Sequence, residues 1–181
     1  MSKIKVAING FGRIGRLTFR NLRQNPDIDV VAVNDLTDPQ TLAHLLKYDT
    51  AQGALKEDVK VSDGSIHVGN ESFHVYSEKD PAQLPWGDLN IDVVLESTGF
   101  FRTKEKAGKH LEAGAKKVVL SAPPKGGDIK IVVLGVNEHV LDGSENIVSN
   151  ASCTTNCLAP MCKVLNEEFG LKNGLLTTVH A

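Results

Sequence analysis

The side chains most able to do chemistry in this sequence lie in the segment ASCTTNC, residues 151–157. Cys153 follows a short run of β-branched residues and precedes a helical pattern, so we expect it near the N-terminus of a helix. Free backbone N–H groups and the positive end of the helix dipole favour a thiolate there. A thiolate is the nucleophilic form of cysteine, so this placement predicts covalent catalysis. The alternative is a buried small cysteine at a turn, because unpaired cysteines are among the most buried residues.

The other two cysteines, Cys157 and Cys162, follow on the same predicted helix. Their spacing suits neither a disulfide bridge nor a zinc site, which would need further spaced ligands. We therefore expect no metal site, with Cys157 as a packed small residue and Cys162 in the core. The lack of a disulfide pattern predicts a reducing, cytoplasmic location.

A glycine-rich motif of the dinucleotide-binding type, GFGRIG, occupies residues 10–15. It follows a strand pattern at 6–9 and opens a helical one, and this context strengthens an otherwise weak motif. The glycines permit a tight turn and close approach of a pyrophosphate, which the N–H groups of Arg13 and Ile14 would bind. Asp35 ends the next strand, where its carboxylate would bind the adenosine ribose and repel a 2′-phosphate, which favours NAD over NADP. A plain glycine turn with an exposed aspartate is the alternative. The predicted NAD contacts in this region are Gly10, Gly12, Arg13, Ile14, Gly15 and Asp35.

Two further loops follow predicted strands and carry small hydroxyl residues. Ser97, Thr98 and Gly99 follow one of these strands, and Ser121 follows the next. Ligands of such folds bind beyond the carboxyl ends of the strands, so we expect these residues to contact the cofactor as well. Ordinary strand-to-loop caps would have the same composition.

Short apolar runs rich in β-branched residues alternate with helical patterns along the chain. This alternation predicts an α/β fold of the Rossmann type, with a doubly wound, mostly parallel sheet covered on both faces. Residues 57–76 break the rhythm with short alternating segments, in which the DG pair at 63–64 and the GN pair at 69–70 indicate hairpin turns. The expected strands are 3–9, 28–34, 91–95, 117–120 and 131–134, and the expected helices are 11–24, 38–46 and 103–113.

The nucleotide-binding pattern stops shortly before the cysteine segment, where we expect a domain boundary. Residues 1–150 are predicted to form the Rossmann-type domain, and residues 151–181 the start of an α+β catalytic domain. In the second part, 152–169 is predicted to be a helix that Pro160 should kink, and 175–180 a strand. A buried strand seldom finishes a protein, so we expect the catalytic domain to be truncated.

Composition narrows the classes of partner. The 181 residues carry 20 Lys and Arg against 22 Asp and Glu, a formal charge of −2, and no basic tract. This balance gives no electrostatic reason to expect nucleic acid as a partner. No apolar run approaches the ~20 residues that span a bilayer, and the N-terminus shows no signal-peptide pattern, so we expect no membrane association.

Six motifs occur in order along the whole chain. They are INGFGRIGR at 8–16, Asn34-Asp35, Ser97-Thr98-Gly99, Ser121-Ala122-Pro123, SNASCTTN at 149–156 and LTTVHA at 176–181. Together they resemble the glyceraldehyde-3-phosphate dehydrogenase family. The cysteine motif is highly specific for that family, whereas the glycine motif alone is not.

The resemblance implies roles for residues that spacing alone does not single out. His180 matches the family's base, which activates the thiol of Cys153 and assists hydride transfer. Ser152 and Thr154 match positions that bind substrate phosphate beside the cysteine, although a hydroxyl there also suits a helix cap. Lys79 matches a basic cofactor contact that is often arginine in the family, and a solvated surface lysine is the alternative.

The reaction implied by the resemblance is the phosphorylating oxidation of D-glyceraldehyde 3-phosphate to 1,3-bisphosphoglycerate. It uses NAD and inorganic phosphate and passes through a cysteine thiohemiacetal and an acyl thioester. The family further implies a glycolytic homotetramer with much longer subunits, so we expect this chain alone to turn over poorly or not at all. The alternatives are the related erythrose-4-phosphate dehydrogenase and a non-catalytic NAD-binding module. The charge pattern does not favour a third alternative, an RNA-binding protein.

Overall fold

A computed structural model describes residues 2–180, which contain nine strands and four α-helices. The strands are β1 (Ile4–Asn9), β2 (Ile28–Asn34), β3 (Val59–Ser62), β4 (Ser65–Val68), β5 (Glu71–Tyr76), β6 (Val93–Glu96), β7 (Lys117–Leu120), β8 (Lys130–Ile131) and β9 (Ile147–Ser149). The helices are α1 (Arg13–Leu22), α2 (Pro39–Lys47), α3 (Lys104–Glu112) and α4 (Cys153–Phe169), with short 3₁₀ turns at Pro81–Gln83 and Glu138–Val140.

The strands form one sheet in the order β3-β4-β5-β2-β1-β6-β7-β9-β8. The six pairings from β5 to β8 are all parallel. From β1 the chain first winds outward through β2 to β5, then returns to the other side of β1 and continues through β6, β7 and β9. The predicted Rossmann-type, doubly wound architecture is therefore confirmed. The reversal of direction creates a crevice at the carboxyl ends of β1 and β6.

Both faces of the central strands are covered, because successive side chains of a strand point in opposite directions. In β1, Val6 and Ile8 pack in a cluster with Phe19 of α1 and with residues of α2. Ala7, which lies between them, belongs to a different cluster that contains Trp86. Burial on both sides explains why these strands are continuous apolar runs rather than alternating ones.

The segment that breaks the βα rhythm is an antiparallel extension of the sheet. β3 pairs with β4 and β4 with β5, while β5 also pairs in parallel with β2. Asp63 and Gly64, with φ of +50° and +70°, form the first turn, as a two-residue hairpin with positive φ at both positions requires. The hairpin turns predicted at 63–64 and 69–70 are confirmed.

The strand predicted at 175–180 is wrong. Residues 171–180 form no regular secondary structure, and Leu175 and Val179 are 104% and 94% exposed. A strand needs a hydrogen-bonded neighbour and an apolar surface to cover, and no strand among residues 2–180 pairs with this segment. Its apolar side chains therefore remain in contact with solvent.

We expect the backbone amides of residues 172–180 to exchange with deuterium nearly as fast as those of an unstructured peptide. Within residues 2–180, none of these amides donates a hydrogen bond. The amides of β1, paired on both sides, should exchange only on global unfolding. Hydrogen exchange followed by mass spectrometry measures both rates, and slow exchange in 172–180 would contradict this prediction.

The strand predicted at 131–134 is shorter than expected, because only Lys130 and Ile131 pair as β8. The side chain of Asn137 accepts from the N–H of Val133 at 2.8 Å and donates to the carbonyl of Ile131 at 2.9 Å. These bonds take up backbone groups that a longer strand would use.

α4 confirms the helix predicted at 152–169, and it continues through Pro160. None of its residues is fully buried, because it packs lightly against the rest of the described chain. The predicted burial of Cys157 and Cys162 is consequently wrong, since Cys157 is exposed and Cys162 only half-buried. Among residues 2–180, no helix is long and apolar enough to pass through a membrane.

Candidate cofactor groove and catalytic cysteine

The turn between β1 and α1 depends on glycine at two positions. Gly10 has a φ of +91°, and a Cβ there would lie 2.7 Å from the backbone nitrogen of Thr98. A Cβ on Gly15 would lie 2.2 Å from the carbonyl oxygen of Gly10. Glycine therefore allows the loops after β1 and β6 to touch and α1 to begin close beneath the turn. A Cβ on Gly12 would meet no heavy atom within 4 Å, so the space beside it is open to a ligand.

The first turn of α1 offers free hydrogen-bond donors. Gly12 is the N-cap and supplies no side-chain acceptor, and the first turn holds no acidic residue. Within residues 2–180, the N–H groups of Arg13 and Ile14 have no protein acceptor. Free N–H groups and the positive end of the helix dipole suit an anion such as a pyrophosphate.

Asp35, at the end of β2, closes the other side of the turn. Its carboxylate accepts hydrogen bonds from the N–H of Phe11 at 2.7 Å and from the N–H of Thr37 at 2.9 Å. Each oxygen can accept a second hydrogen bond. The carboxylate is thus held in place and can still bind ribose hydroxyls.

These elements line one groove of about 390 Å³ at the carboxyl edge of the sheet. The predicted cofactor residues in its lining are Gly10, Gly12, Asp35, Lys79, Ser97 and Thr98. The remaining predicted contacts do not belong to its lining, and they are Arg13, Ile14, Gly15, Gly99 and Ser121. Residues from four separate loops thus converge on a single surface.

The hydroxyls of Ser97 and Thr98 hold the loop itself. The hydroxyl of Ser97 donates to the carbonyl of Gly10 at 2.6 Å, and that of Thr98 donates to Glu96. These hydroxyls therefore act as strand-to-loop caps, which was the alternative given for them above.

Sequence reasoning missed several groove residues, namely Asn9, Asn34, Leu36, Glu78, Phe100 and Phe101. Leu36 and Phe100 are 61% and 78% exposed, which is unusual for large apolar side chains in a groove. An apolar surface beside a ribose-binding carboxylate suits a flat ring such as adenine. The signal available in the sequence was the apolar residue directly after Asp35.

Cys153 is the first residue of α4 and is exposed, as the helix-start prediction required. Ser152 is the N-cap, and its hydroxyl accepts from the N–H of Thr155 at 3.0 Å. Ala151, directly before the cap, has a φ of +60° and is 2% exposed. A buried alanine in this left-handed conformation is strained, and such strain is concentrated at functional sites.

The end of β9 brings the cysteine to the same sheet edge as the glycine turn. The N–H of Asn150 donates to the carbonyl of Leu120 at 2.9 Å, and the hydroxyl of Ser149 donates to the carbonyl of Ala122 at 2.9 Å. Because β1, β6, β7 and β9 run in parallel, their carboxyl ends lie along one edge. The groove and Cys153 therefore lie at the same edge of the sheet, where the parallel strands have their carboxyl ends.

The structure does not bring the two predicted catalytic residues, Cys153 and His180, into hydrogen-bond contact within residues 2–180. His180 is exposed in the irregular segment, and no hydrogen bond within residues 2–180 links it to Cys153. The hydroxyls of Ser152 and Thr154, predicted to bind phosphate, lie 3.0 Å from each other. Across the described part of the chain, no group of three or more His, Cys, Asp or Glu side chains is arranged to hold a metal ion.

Fold and groove together define a dinucleotide-binding protein of the Rossmann class. Residues 4–104 match the family model "Glyceraldehyde 3-phosphate dehydrogenase, NAD binding domain", and residues 152–181 match "Glyceraldehyde 3-phosphate dehydrogenase, C-terminal domain". The chain belongs to the glyceraldehyde-3-phosphate dehydrogenase family, and its cofactor is NAD.

Named relatives agree with this assignment. The chain is 58% identical over 177 residues to glyceraldehyde-3-phosphate dehydrogenase of Clostridium acetobutylicum and, over the same length, to that of Clostridium pasteurianum. It is 56% identical over 179 residues to that of Geobacillus stearothermophilus. Each match covers 98% of this chain and 53% of the relative, so the chain spans about half the length of these curated relatives.

Replacing Asp35 by asparagine is expected to weaken NAD binding by about 10- to 100-fold and to reduce the preference for NAD over NADP. The variant loses the charge that repels a 2′-phosphate, and its amide cannot accept from both Phe11 and Thr37. Calorimetric titration with each nucleotide measures both effects. Asp38→Asn is the matched control, because Asp38 is an exposed N-cap and asparagine caps equally well. Unchanged NAD affinity in Asp35→Asn would refute the assignment.

Proposed function

We propose that this chain supplies the NAD-binding domain and the catalytic cysteine of a phosphorylating glyceraldehyde-3-phosphate dehydrogenase. The domains are residues 1–150 and the beginning of a catalytic domain at 151–181. The observation that carries the proposal is the position of Cys153, exposed at the first residue of α4 and at the sheet edge that holds the NAD groove. Homology with the named relatives supports the same conclusion.

In the proposed reaction, Cys153 acts as the nucleophile. Its thiolate forms a C–S bond with the aldehyde carbon of D-glyceraldehyde 3-phosphate, and protonation of the carbonyl oxygen gives a thiohemiacetal. Loss of the hydroxyl proton and of a hydride, for which bound NAD would be the acceptor, leaves an acyl thioester. Inorganic phosphate then attacks the acyl carbon, the C–S bond breaks, and the thiolate is regenerated as 1,3-bisphosphoglycerate departs.

His180 is proposed as the base that takes the thiol proton, gives it to the carbonyl oxygen as the thiohemiacetal forms, and then takes the hydroxyl proton. Ser152 and Thr154 are proposed to bind the anionic group of the substrate, since they precede and follow Cys153 in the sequence and their hydroxyls lie 3.0 Å from each other. The free N–H groups at the start of α4 add positive electrostatic potential at the same place.

The groove residues are proposed to hold NAD, which supplies the hydride acceptor when bound. The N–H groups of Arg13 and Ile14 bind the pyrophosphate, and Asp35 binds the adenosine ribose. Leu36 and Phe100 contact the adenine, because their apolar surfaces are already exposed in the groove. The open space beside Gly12 permits the close approach of the phosphates.

We further propose that the complete protein is a cytoplasmic, glycolytic homotetramer with no nucleic-acid or membrane partner. The three free cysteines of the described chain suit a reducing compartment.

A chimera tests the function directly. Residues 1–181 are joined to the part of the Geobacillus stearothermophilus relative that follows its aligned region, and NADH formation is followed by absorbance. We expect NADH production that requires the aldehyde, NAD and inorganic phosphate together. A higher kcat/KM with erythrose 4-phosphate would favour the related dehydrogenase instead. A folded chimera that binds NAD but forms no NADH would leave only the non-catalytic alternative.

The 181-residue chain alone is expected to form NADH roughly 10³-fold more slowly than the chimera. The reason is that His180 is exposed in an irregular segment and forms no hydrogen bond with Cys153 among residues 2–180. Catalysis depends on holding such groups in a productive geometry. Equal rates for chain and chimera would show that the segment orders itself on the substrate.

A further inference from the structure

A chain of buried hydrogen bonds runs beneath the NAD groove from one wall to the other. It starts at the backbone of Glu78, passes through the side chains of Asn34 and Asn9 to the carboxylate of Glu96, and ends at Thr98. Asn9, Asn34 and Glu96 are only 1%, 5% and 2% exposed. The carboxyl group of Glu96 is therefore buried, and its oxygens must find hydrogen-bond donors inside the protein.

The backbone of Glu78 fixes the direction of the bonds at one end. Its N–H donates to Oδ1 of Asn34 at 2.8 Å, and Nδ2 of Asn34 donates to its carbonyl at 2.9 Å. The amide of Asn34 can therefore point only one way, and the same Nδ2 donates to Oδ1 of Asn9 at 2.7 Å. Asn9 must then present its own Nδ2 to Oε2 of Glu96, at 2.6 Å.

Trp86 fixes the direction from the opposite side. Its indole N–H, which can only donate, lies 3.0 Å from Nδ1 of His110. Nδ1 is therefore an acceptor, and the proton of the ring is on Nε2, which donates to Oε2 of Glu96 at 3.0 Å. Thr98 supplies two more donors to Oε1, its N–H at 2.8 Å and its hydroxyl.

All four groups around Glu96 thus donate, and none accepts. A carboxylate has about four acceptor positions and no donor, so it satisfies all of these groups. A glutamine of the same shape would turn an NH₂ group either toward Asn9 and His110 or toward the N–H of Thr98. Position 96 therefore requires a side chain that only accepts.

Thr98 connects this carboxylate to the groove walls. Its hydroxyl accepts from the N–H of Phe100 at 3.1 Å, so the same bond network reaches the exposed aromatic side chain of one wall. Its backbone nitrogen lies against Gly10 of the glycine turn. On the other wall, the double bond from Asn34 to Glu78 holds the backbone next to Lys79.

We propose that Glu96 is a positioning residue for NAD. Its carboxylate, acting through Asn9 and Thr98, sets the separation of the two groove walls without contacting the cofactor. The proposal rests on the NAD-binding role proposed above for this groove. According to the proposal, the groove fits the cofactor because the side chain of Glu96 only accepts hydrogen bonds. Its charge and its size are not the deciding properties.

The direction of the bonds permits a swap that leaves every donor with an acceptor, although His110 changes its partner. Asn9→Asp combined with Glu96→Gln moves the carboxylate one position along the network. The carboxylate at position 9 accepts from Asn34 on one oxygen and from the new amide on the other. It also accepts from Nε2 of His110, which already lies 3.4 Å from Nδ2 of Asn9. The amide oxygen at position 96 accepts both donors of Thr98.

Two measurements on the 181-residue chain test the proposal, namely NAD affinity by calorimetry and deuterium exchange of the Thr98 amide without NAD. The urea midpoint of unfolding establishes the conditions in which each variant is folded. We expect Glu96→Gln to weaken NAD binding at least about tenfold and to accelerate Thr98 exchange under conditions where the protein remains folded. Asn9→Asp alone should also bind weakly, because two carboxylates then face each other. The double variant should recover both properties to within about threefold of wild type. Glu112→Gln is the matched control at an exposed helix end, and it should change neither.

Two results would overturn the role of Glu96. One is wild-type NAD affinity and wild-type Thr98 exchange in Glu96→Gln, and the other is a double variant no better than the single variants. If neither single variant folds, a folded double variant that binds NAD supports the proposal, and an unfolded one contradicts it. If the wild-type chain binds no NAD, the proposed function of this chain fails. The exchange of the Thr98 amide then still tests whether Glu96 holds the loop after β6, and unchanged exchange in Glu96→Gln would contradict it.

Discussion

Replacing Cys153 by serine in the chimera is expected to reduce NADH formation by about 10⁴-fold or more. A serine hydroxyl does not ionise near neutral pH, so the variant lacks the nucleophile that forms the C–S bond. The fold and the groove should be unaffected, because Cys153 is exposed at the start of α4 and the N-cap bond comes from Ser152. Steady-state rates and NAD affinity, measured on the same preparation, separate loss of chemistry from loss of binding.

The chain contains a matched control for this experiment. Cys157 lies one turn further along α4 and is also exposed, so Cys157→Ser makes the same chemical change close by. We expect it to retain nearly full activity. Alkylation by iodoacetamide, located by peptide mass spectrometry, should inactivate the chimera through Cys153. Comparable activity in Cys153→Ser and Cys157→Ser would exclude the proposed nucleophile.

Gly15→Ala is expected to weaken NAD binding by about 100-fold and to lower the free energy of unfolding by about 1–3 kcal/mol. The added methyl group would lie 2.2 Å from the carbonyl oxygen of Gly10, and this neighbour is backbone rather than a movable side chain. Either the glycine turn or the start of α1 must shift, and both carry the groups that bind the pyrophosphate. Calorimetry and urea denaturation measure the two effects.

Substitutions at two other glycines separate the effect of a distorted turn from the effect of a blocked ligand site. Gly12 has a φ of −72° and no heavy atom within 4 Å of an added Cβ, so Gly12→Ala should fold normally and weaken NAD binding only by occupying the space beside the turn. Gly108, inside α3, also has open space around it, and Gly108→Ala should raise stability by about 0.5–1 kcal/mol without affecting NAD. Equal stabilities for the Gly12 and Gly15 variants would contradict the packing argument.

Much of the fold could be predicted from the sequence, because local pattern determines it. The strand at 28–34 and the strand at 117–120 agree with the structure to the residue, since β-branched runs buried on both faces leave no ambiguity of type. The turn at 63–64 was predictable because its positive φ values select Asp and Gly. The helix start at Cys153 was predictable from its serine cap.

The parts that could not be predicted depend on distant partners. Asn9 and Glu96 each end a strand in the sequence, and only the fold shows that they bond across 87 positions. The direction of that bond follows from Glu78 and Trp86, which no local pattern relates to it. The strand predicted at 175–180 failed for the same reason, because an apolar pattern does not supply the neighbouring strand that it needs.

The two edge strands of the nine-stranded sheet also affect how copies of this chain associate. Long, flat edge strands promote aggregation by adding strands from other molecules. Here β3 has four residues and β8 only two, and each edge carries a lysine, Lys60 or Lys130. Growth into fibrils by edge pairing is thus disfavoured at both ends. Exposed apolar side chains of α4, such as Met161 and Phe169, favour self-association through helix contacts instead.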